Sequence, residues 1–143
     1  MLERFGERCK DNLSKSVIPF WLSHAIDRRH GGVYTCMERD GRVFDTRKYL
    51  WLQGRAIWMF SRLYNEFEKR DEYIEIAEAT VKFLRAHAYD DQGRVYFALT
   101  EDGRPAAFQR KVWSAGFFSE GLSEYYRATG DKSALNEALA LYD

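Results

Sequence analysis

The chain has 143 residues, the length of one domain, and its 22 basic and 22 acidic residues leave no formal net charge. No block of basic residues stands out, which gives nucleic-acid binding no support, and no apolar run reaches the roughly 18 residues of a membrane span. The hydrophobic share of 45% is ordinary, whereas the aromatic share of 16% is high and suits either a carbohydrate pocket or a large core.

In chain order, Phe5, Cys9, Leu13, Val17 and Phe20 recur at helical spacing and predict a helix over about 3–26, with Pro19 kinking or splitting it near its end. Gly31-Gly32 breaks the chain. Val33 to Met37 and Val43-Phe44 then flank Asp40-Gly41, a hairpin signal. The next helix, about 47–68, carries Trp51, Arg55, Trp58, Met59 and Leu63; another, about 72–88, carries Tyr73, Ile76, Ala77, Val81 and Leu84. A second hairpin follows from Val95 to Leu99 and Asp102-Gly103, its return strand limited by Pro105. A helix over about 109–128 ends at Gly130, and Asp131 caps a last one that begins near Lys132 and is still running at Asp143.

The chain repeats itself. A shift of 62 residues places 31–64 on 93–126 without a gap, and 10 of those 34 positions are identical. Ordinary composition gives roughly two or three. Among the matches, Asp40-Gly41-Arg42 falls on Asp102-Gly103-Arg104, Trp51 on Trp113 and Gly54 on Gly116. The unit is a hairpin, a helix, a linker and a helix. Such a unit needs neighbours on both sides to bury its faces.

The most informative block is Trp51-Leu52-Gln53-Gly54-Arg55 with Trp58 one turn on. On a helix, Trp51, Arg55 and Trp58 share a face, because residues three and four apart are neighbours. A guanidinium between aromatic rings suits a sugar: its fork binds oxygens, and the rings cover apolar C–H faces. Packing in a core is the competing explanation. Gly54 costs about 1 kcal/mol inside a helix, so a close neighbour or a ligand needs that space. In the second unit Phe117 replaces Arg55, so the repeat itself does not require the cation. Lys48, seven residues before Arg55, reads as a solvated lysine. Glu120 and Glu124 read as a solvated or ion-paired face. His24, His30 and His87 have no histidine or cysteine at i+3 or i+4 to pair with as metal ligands, and a histidine at a helix end has a plain electrostatic reason. Cys9 and Cys36 are isolated and read as free thiols.

Several stretches resemble the N-acylglucosamine 2-epimerase family, which includes cellobiose 2-epimerases and aldose–ketose isomerases. They are Phe20-Trp21, Asp27, Gly31-Gly32-Val33-Tyr34, the block from Lys48 to Tyr64, Gly93-Arg94, Tyr96-Phe97, Asp102-Gly103-Arg104-Pro105 and Tyr126-Arg127-Ala128-Thr129-Gly130. The resemblance implies an all-α fold, the N-terminal portion of an (α/α)6 barrel, with about two helix-hairpin repeats and short β-hairpins in the connections. It implies proton transfer beside the carbonyl of a ring-opened sugar, through an enediolate. Arg55 matches the family arginine that holds the substrate oxygen, which makes it the candidate catalytic residue. Trp51, Arg55 and Trp113 are the candidate substrate-binding residues.

The chain has roughly a third of a family member's length, and the later region that supplies the family's two catalytic histidines is absent. The expectation is therefore an N-terminal fragment, inactive alone, of a cytoplasmic isomerase. It requires no cofactor and no metal, its partner is a small sugar, and a homodimer is allowed. Two other readings stay open. One is an (α/α)6-barrel glycoside hydrolase, because one fold hosts both chemistries. The other is a non-catalytic carbohydrate-binding module.

Overall fold

The computed structural model describes residues 2–109 and 111–142. Helix α1 (Leu2–Asn12) runs through a π-helical turn (Leu13–Val17) into α2 (Ile18–His24). The interruption falls just before Pro19. A proline ring collides with the carbonyl four residues back, and the wider turn, in which the Ile18 N–H reaches Leu13 O five residues back, makes room for it. The helical stretch thus ends at His24, two residues earlier than its periodicity predicts.

A first hairpin pairs β1 (Cys36–Met37) with β2 (Val43–Asp45), antiparallel and with an irregular register. Next come β3 (Lys48–Tyr49), α3 (Leu50–Glu66), α4 (Asp71–His87), β4 (Ala98–Leu99), β5 (Pro105–Ala107), α5 (Trp113–Thr129) and α6 (Lys132–Tyr142). Residues 48 and 49 are a strand, not the first turn of the following helix, because they pair with β4 and make a three-stranded sheet in the order β3-β4-β5. Pro105 opens the edge strand, where a missing N–H costs no ladder bond. The Gly130 N–H bonds to Tyr126 O (2.7 Å) at the end of α5, and Asp131 Oδ1 accepts the Ser133 N–H (2.9 Å) to cap α6. Continuation of α6 through Asp143 lies outside the described residues.

The two hairpins stand 62 residues apart strand for strand: 36–37 against 98–99, and 43–45 against 105–107. Upstream of them the spacing is 63. Phe20 packs on His24 and Phe83 on His87, each ring pair 5.0 Å between centroids. The His24 ring lies over Gly41 and the His87 ring over Gly103. Both glycines have φ near +90°, and a Cβ on either would sit 2.4 Å from the ring. The two histidines are thus structural seats for the Asp-Gly turns.

Helices α3 and α5 lie side by side, α4 packs on α3, and α6 packs on α5. Leu50, Ile57, Phe60, Tyr73, Leu84, Phe118 and Leu122 form the core between these layers. The two inner helices approach closely because glycines meet. A Cβ on Gly54 would lie 2.5 Å from the Phe117 carbonyl, and one on Gly121 would lie 2.5 Å from Gly54 O. A helix neighbour therefore accounts for the interior glycine at 54.

Candidate functional site

Trp51 and Arg55 lie in the first two turns of α3, and Trp113 opens α5. The structure brings all three around one ring, Phe117. Trp51 packs against it at 5.9 Å, Trp113 stacks on it at 6.5 Å and 22°, and the Arg55 guanidinium lies 5.7 Å from its centroid. This differs from the expected placement of Arg55 between Trp51 and Trp58. Residues of one helix cannot close over each other as a neighbouring helix can, so α5 supplies the ring. Among the described residues, Arg55 makes no ion pair and no side-chain hydrogen bond, and its guanidinium is exposed. It opens into a hollow of about 410 Å³ shared with Trp21, Thr35 and Trp58. The Thr35 hydroxyl oxygen is buried without a partner among the described residues.

Just before α3, at Lys48, lies a buried polar cluster that the sequence hides. Lys48 is fully buried. Its Nζ donates to Asp27 Oδ2 (2.6 Å), Gly31 O (2.6 Å) and Glu101 O (2.9 Å), and sits 4.1 Å from the Phe83 centroid. The expected solvated lysine is thus corrected. Pairing of β3 with β4 turns the side chain inward, where Asp27 neutralises it. One ammonium joins the loop after α2, the start of α3 and the turn of the second hairpin. Asp27 Oδ1 also accepts the backbone N–H groups of Arg29 (2.9 Å) and His30 (3.0 Å). Burial raises the Asp27 carboxyl pKa, but the Lys48 hydrogen bond and these two N–H groups outweigh it and hold it below the usual range. The Tyr34 hydroxyl donates to Glu101 Oε1 (2.5 Å), and burial together with that bond pushes the phenol up.

Asp27, His30 and Glu101 come close enough to hold a metal ion. The Lys48 ammonium already occupies the cation position against Asp27, however, and His30 Nδ1 lies 3.2 Å from the same carboxylate oxygen. Gln53, also buried, accepts the Val33 N–H and donates to Val33 O, both at 2.8 Å, so α3 pins the backbone leading to Thr35. Glu124 is buried and paired with Arg127 (2.8 Å) and Asn65 (2.7 Å), whereas Glu120 is exposed. The two carboxylates serve different surroundings.

The arrangement is a guanidinium, without an ion-pair partner among the described residues, beside a row of three aromatic rings at the hairpin end of two inner helices. The sequence profile of N-acylglucosamine 2-epimerase (GlcNAc 2-epimerase) matches residues 32–143. This chain belongs to the N-acylglucosamine 2-epimerase family. It is 41% identical over 141 residues to the N-acylglucosamine 2-epimerase of Bos taurus, covering 94% of this chain and 33% of that protein. It is 31% identical over 145 residues to the cellobiose 2-epimerase of Bacteroides fragilis, covering 100% of this chain and 37% of the relative. The solved cellobiose 2-epimerase of Bacillus thermoamylovorans B4167 superposes with a TM-score of 0.88 at 28% identity, over 98% of this chain and 36% of that one.

The chain thus spans about a third of the length of the curated relatives it matches. Its fold is all-α and corresponds to the N-terminal part of the (α/α)6 barrel of its structural neighbours. Among the described residues, no helix is long and apolar enough to cross a membrane.

Proposed function

We propose that this chain is the N-terminal part of a sugar 2-epimerase or aldose–ketose isomerase, and that Arg55, Trp51 and Trp113 form one wall of its substrate site. The observation that carries the reading is the exposed Arg55 guanidinium, unpaired among the described residues, beside the Trp51–Phe117–Trp113 row. Aromatic faces hold the C–H surface of a sugar, and the guanidinium receives its oxygen.

The chemistry follows from that placement. A base removes the proton from the carbon next to the carbonyl of the ring-opened sugar. The C–H electron pair moves onto the carbonyl oxygen and gives an enediolate. Arg55 faces the developing negative charge, where a fixed cation is worth most. Return of the proton to the opposite face of the same carbon gives the epimer; return to the neighbouring carbon gives the isomer. None of the three histidines serves as the base in this reading. His24 and His87 seat turns, and His30 is held by Asp27. The proton-transfer groups belong to polypeptide beyond residues 1–143, and the chain by itself is inactive.

The test is solvent exchange. The complete gene product, incubated with N-acetylglucosamine, cellobiose or mannose in D2O, incorporates deuterium at C2 of at least one of them. Arg55→Ala lowers that rate 100-fold or more, the scale seen when a charge-stabilising donor is removed. Glycosidic cleavage of cellobiose without C2 exchange would instead assign a hydrolase. Saturable binding with neither reaction would assign a binding module.

A further inference from the structure

Two buried hydroxyl oxygens lack a hydrogen-bond partner among the described residues, those of Thr35 and Ser61. Buried polar groups are ordinarily satisfied, so each exception needs a reason. Ser61 is wholly enclosed in the packing around α3. Thr35 is half-buried as a residue, and it lines the hollow of about 410 Å³ into which Arg55 opens. That volume lies within the roughly 300–1,000 Å³ of small-molecule sites.

The segment that carries Thr35 is held on both sides of it. Gln53 clamps Val33 through its N–H and its carbonyl, both at 2.8 Å, and the Tyr34 N–H donates to Ala25 O (2.7 Å). One residue on, Cys36 pairs with Asp45 in the first hairpin. The backbone at Thr35 is thus fixed while its hydroxyl is left over. Rotation about the Cα–Cβ bond moves that hydroxyl among staggered positions without disturbing the backbone. Trp21 and Trp58 line the same hollow.

We propose that Thr35 is a further substrate-binding residue: its hydroxyl hydrogen-bonds a hydroxyl group of the ring-opened sugar whose carbonyl oxygen Arg55 receives. This rests on the proposed reading of Arg55. A threonine hydroxyl both donates and accepts, as a sugar hydroxyl does. The two indoles suit the C–H surface that lies beside each sugar hydroxyl. Because the backbone is already fixed, little ordering remains to oppose binding. In the free chain the hydroxyl is unpaired because its partner arrives with the ligand.

The experiment is steady-state kinetics and thermal unfolding of Thr35→Val and Thr35→Ser in the complete gene product, on whichever of N-acetylglucosamine, cellobiose and mannose exchanges at C2. Valine keeps the shape and removes the hydroxyl. KM then rises about tenfold, the scale of one lost hydrogen bond, with kcat within about twofold and Tm not lowered. Serine keeps the hydroxyl and restores KM. Substrate analogues lacking one hydroxyl at a time identify the partner. One of them binds about tenfold more weakly than its parent sugar to wild type, and no more weakly to Thr35→Val. Unchanged KM in Thr35→Val overturns the assignment, while C2 exchange by the wild type and its loss in Arg55→Ala keep the functional reading intact. A drop in Tm accompanied by a loss of kcat in Thr35→Val gives the hydroxyl a partner elsewhere in the polypeptide and likewise overturns the assignment. A wild-type product that exchanges none of these sugars at C2 overturns both readings.

Discussion

Replacing Lys48 with methionine tests the central electrostatic claim. The side chain is fully buried, its partner Asp27 is 1% exposed, and Nζ donates to three oxygens at 2.6–2.9 Å. Methionine keeps the volume and removes the charge. Asp27 then retains its two backbone N–H donors and the His30 ring but no full countercharge at Lys48, and the carbonyls of Gly31 and Glu101 lose a donor. Breaking a buried ion pair from one side costs about 3–5 kcal/mol. A domain of this size has roughly 5–15 kcal/mol in total, so the variant loses a large share of its stability.

The companion Asp27→Asn keeps the oxygen that accepts from Arg29 and His30 but strands the ammonium. Combining the two changes removes both charges together, so the double variant costs less than the sum of the singles, by about 1–3 kcal/mol. Urea unfolding at pH 7, read as the shift in midpoint at unchanged m, measures each corner of the cycle. A Lys48→Met cost below about 1 kcal/mol, or strictly additive singles, would refute the burial of this charge pair.

The acid limb of stability should depend on the same carboxylate. The Asp27 pKa is depressed in the folded state, so its contribution is fully present above its ordinary value of 3.8 and is lost as pH falls through the lower folded value. Urea midpoints between pH 5 and pH 2 should fall less steeply in Asp27→Asn than in wild type; parallel profiles would assign the acid loss elsewhere. Gly54→Ala gains about 1 kcal/mol in helix propensity but drives a methyl into the α5 backbone, so a net loss of about 1–3 kcal/mol is expected in chemical denaturation. His24→Ala and His87→Ala should each cost about 0.5–1.5 kcal/mol through their phenylalanine contacts. Neither should change C2 exchange in the complete product by more than a few fold, and a 100-fold loss would make that histidine a participant. With Trp113, Val112 and Phe108 exposed, the isolated chain should self-associate in sedimentation at tens of micromolar; a strict monomer with a sharp thermal transition would count against an uncovered face.

Much of the architecture was legible in local pattern. Apolar periodicity located α3 to α6 to within a few residues. The paired Asp-Gly turns marked both hairpins, and the 62-residue repeat tied the units together. The candidate site was legible in outline: Trp51, Arg55 and Trp113 stood out by residue type and spacing, and the three side chains surround the Phe117 ring. The ring that gathers them did not stand out as a platform. Phe117 was visible only as the residue replacing Arg55 in the second unit.

The 63-residue spacing of Phe20–His24 and Phe83–His87 was missed because one residue separates it from the spacing of the hairpins. It is the fact that turns two candidate histidines into turn supports.

What the sequence determined by itself is whatever depends on neighbours along the chain: helix periods, caps, turn residues and the repeat. What only the tertiary structure decided is whatever depends on segments distant along it. Lys48 looks solvated until β3 pairs with β4 and brings it to Asp27, 21 residues back, and Glu101, 53 residues on. Gln53 looks like any helical glutamine until Val33 runs past it. Gly54 and Gly116 are the same residue at the same place in the repeat, yet one is pressed against a backbone and the other faces open space. The burial of a charge and the crowding of a glycine are set by what arrives from elsewhere in the fold, and no local pattern encodes that arrival.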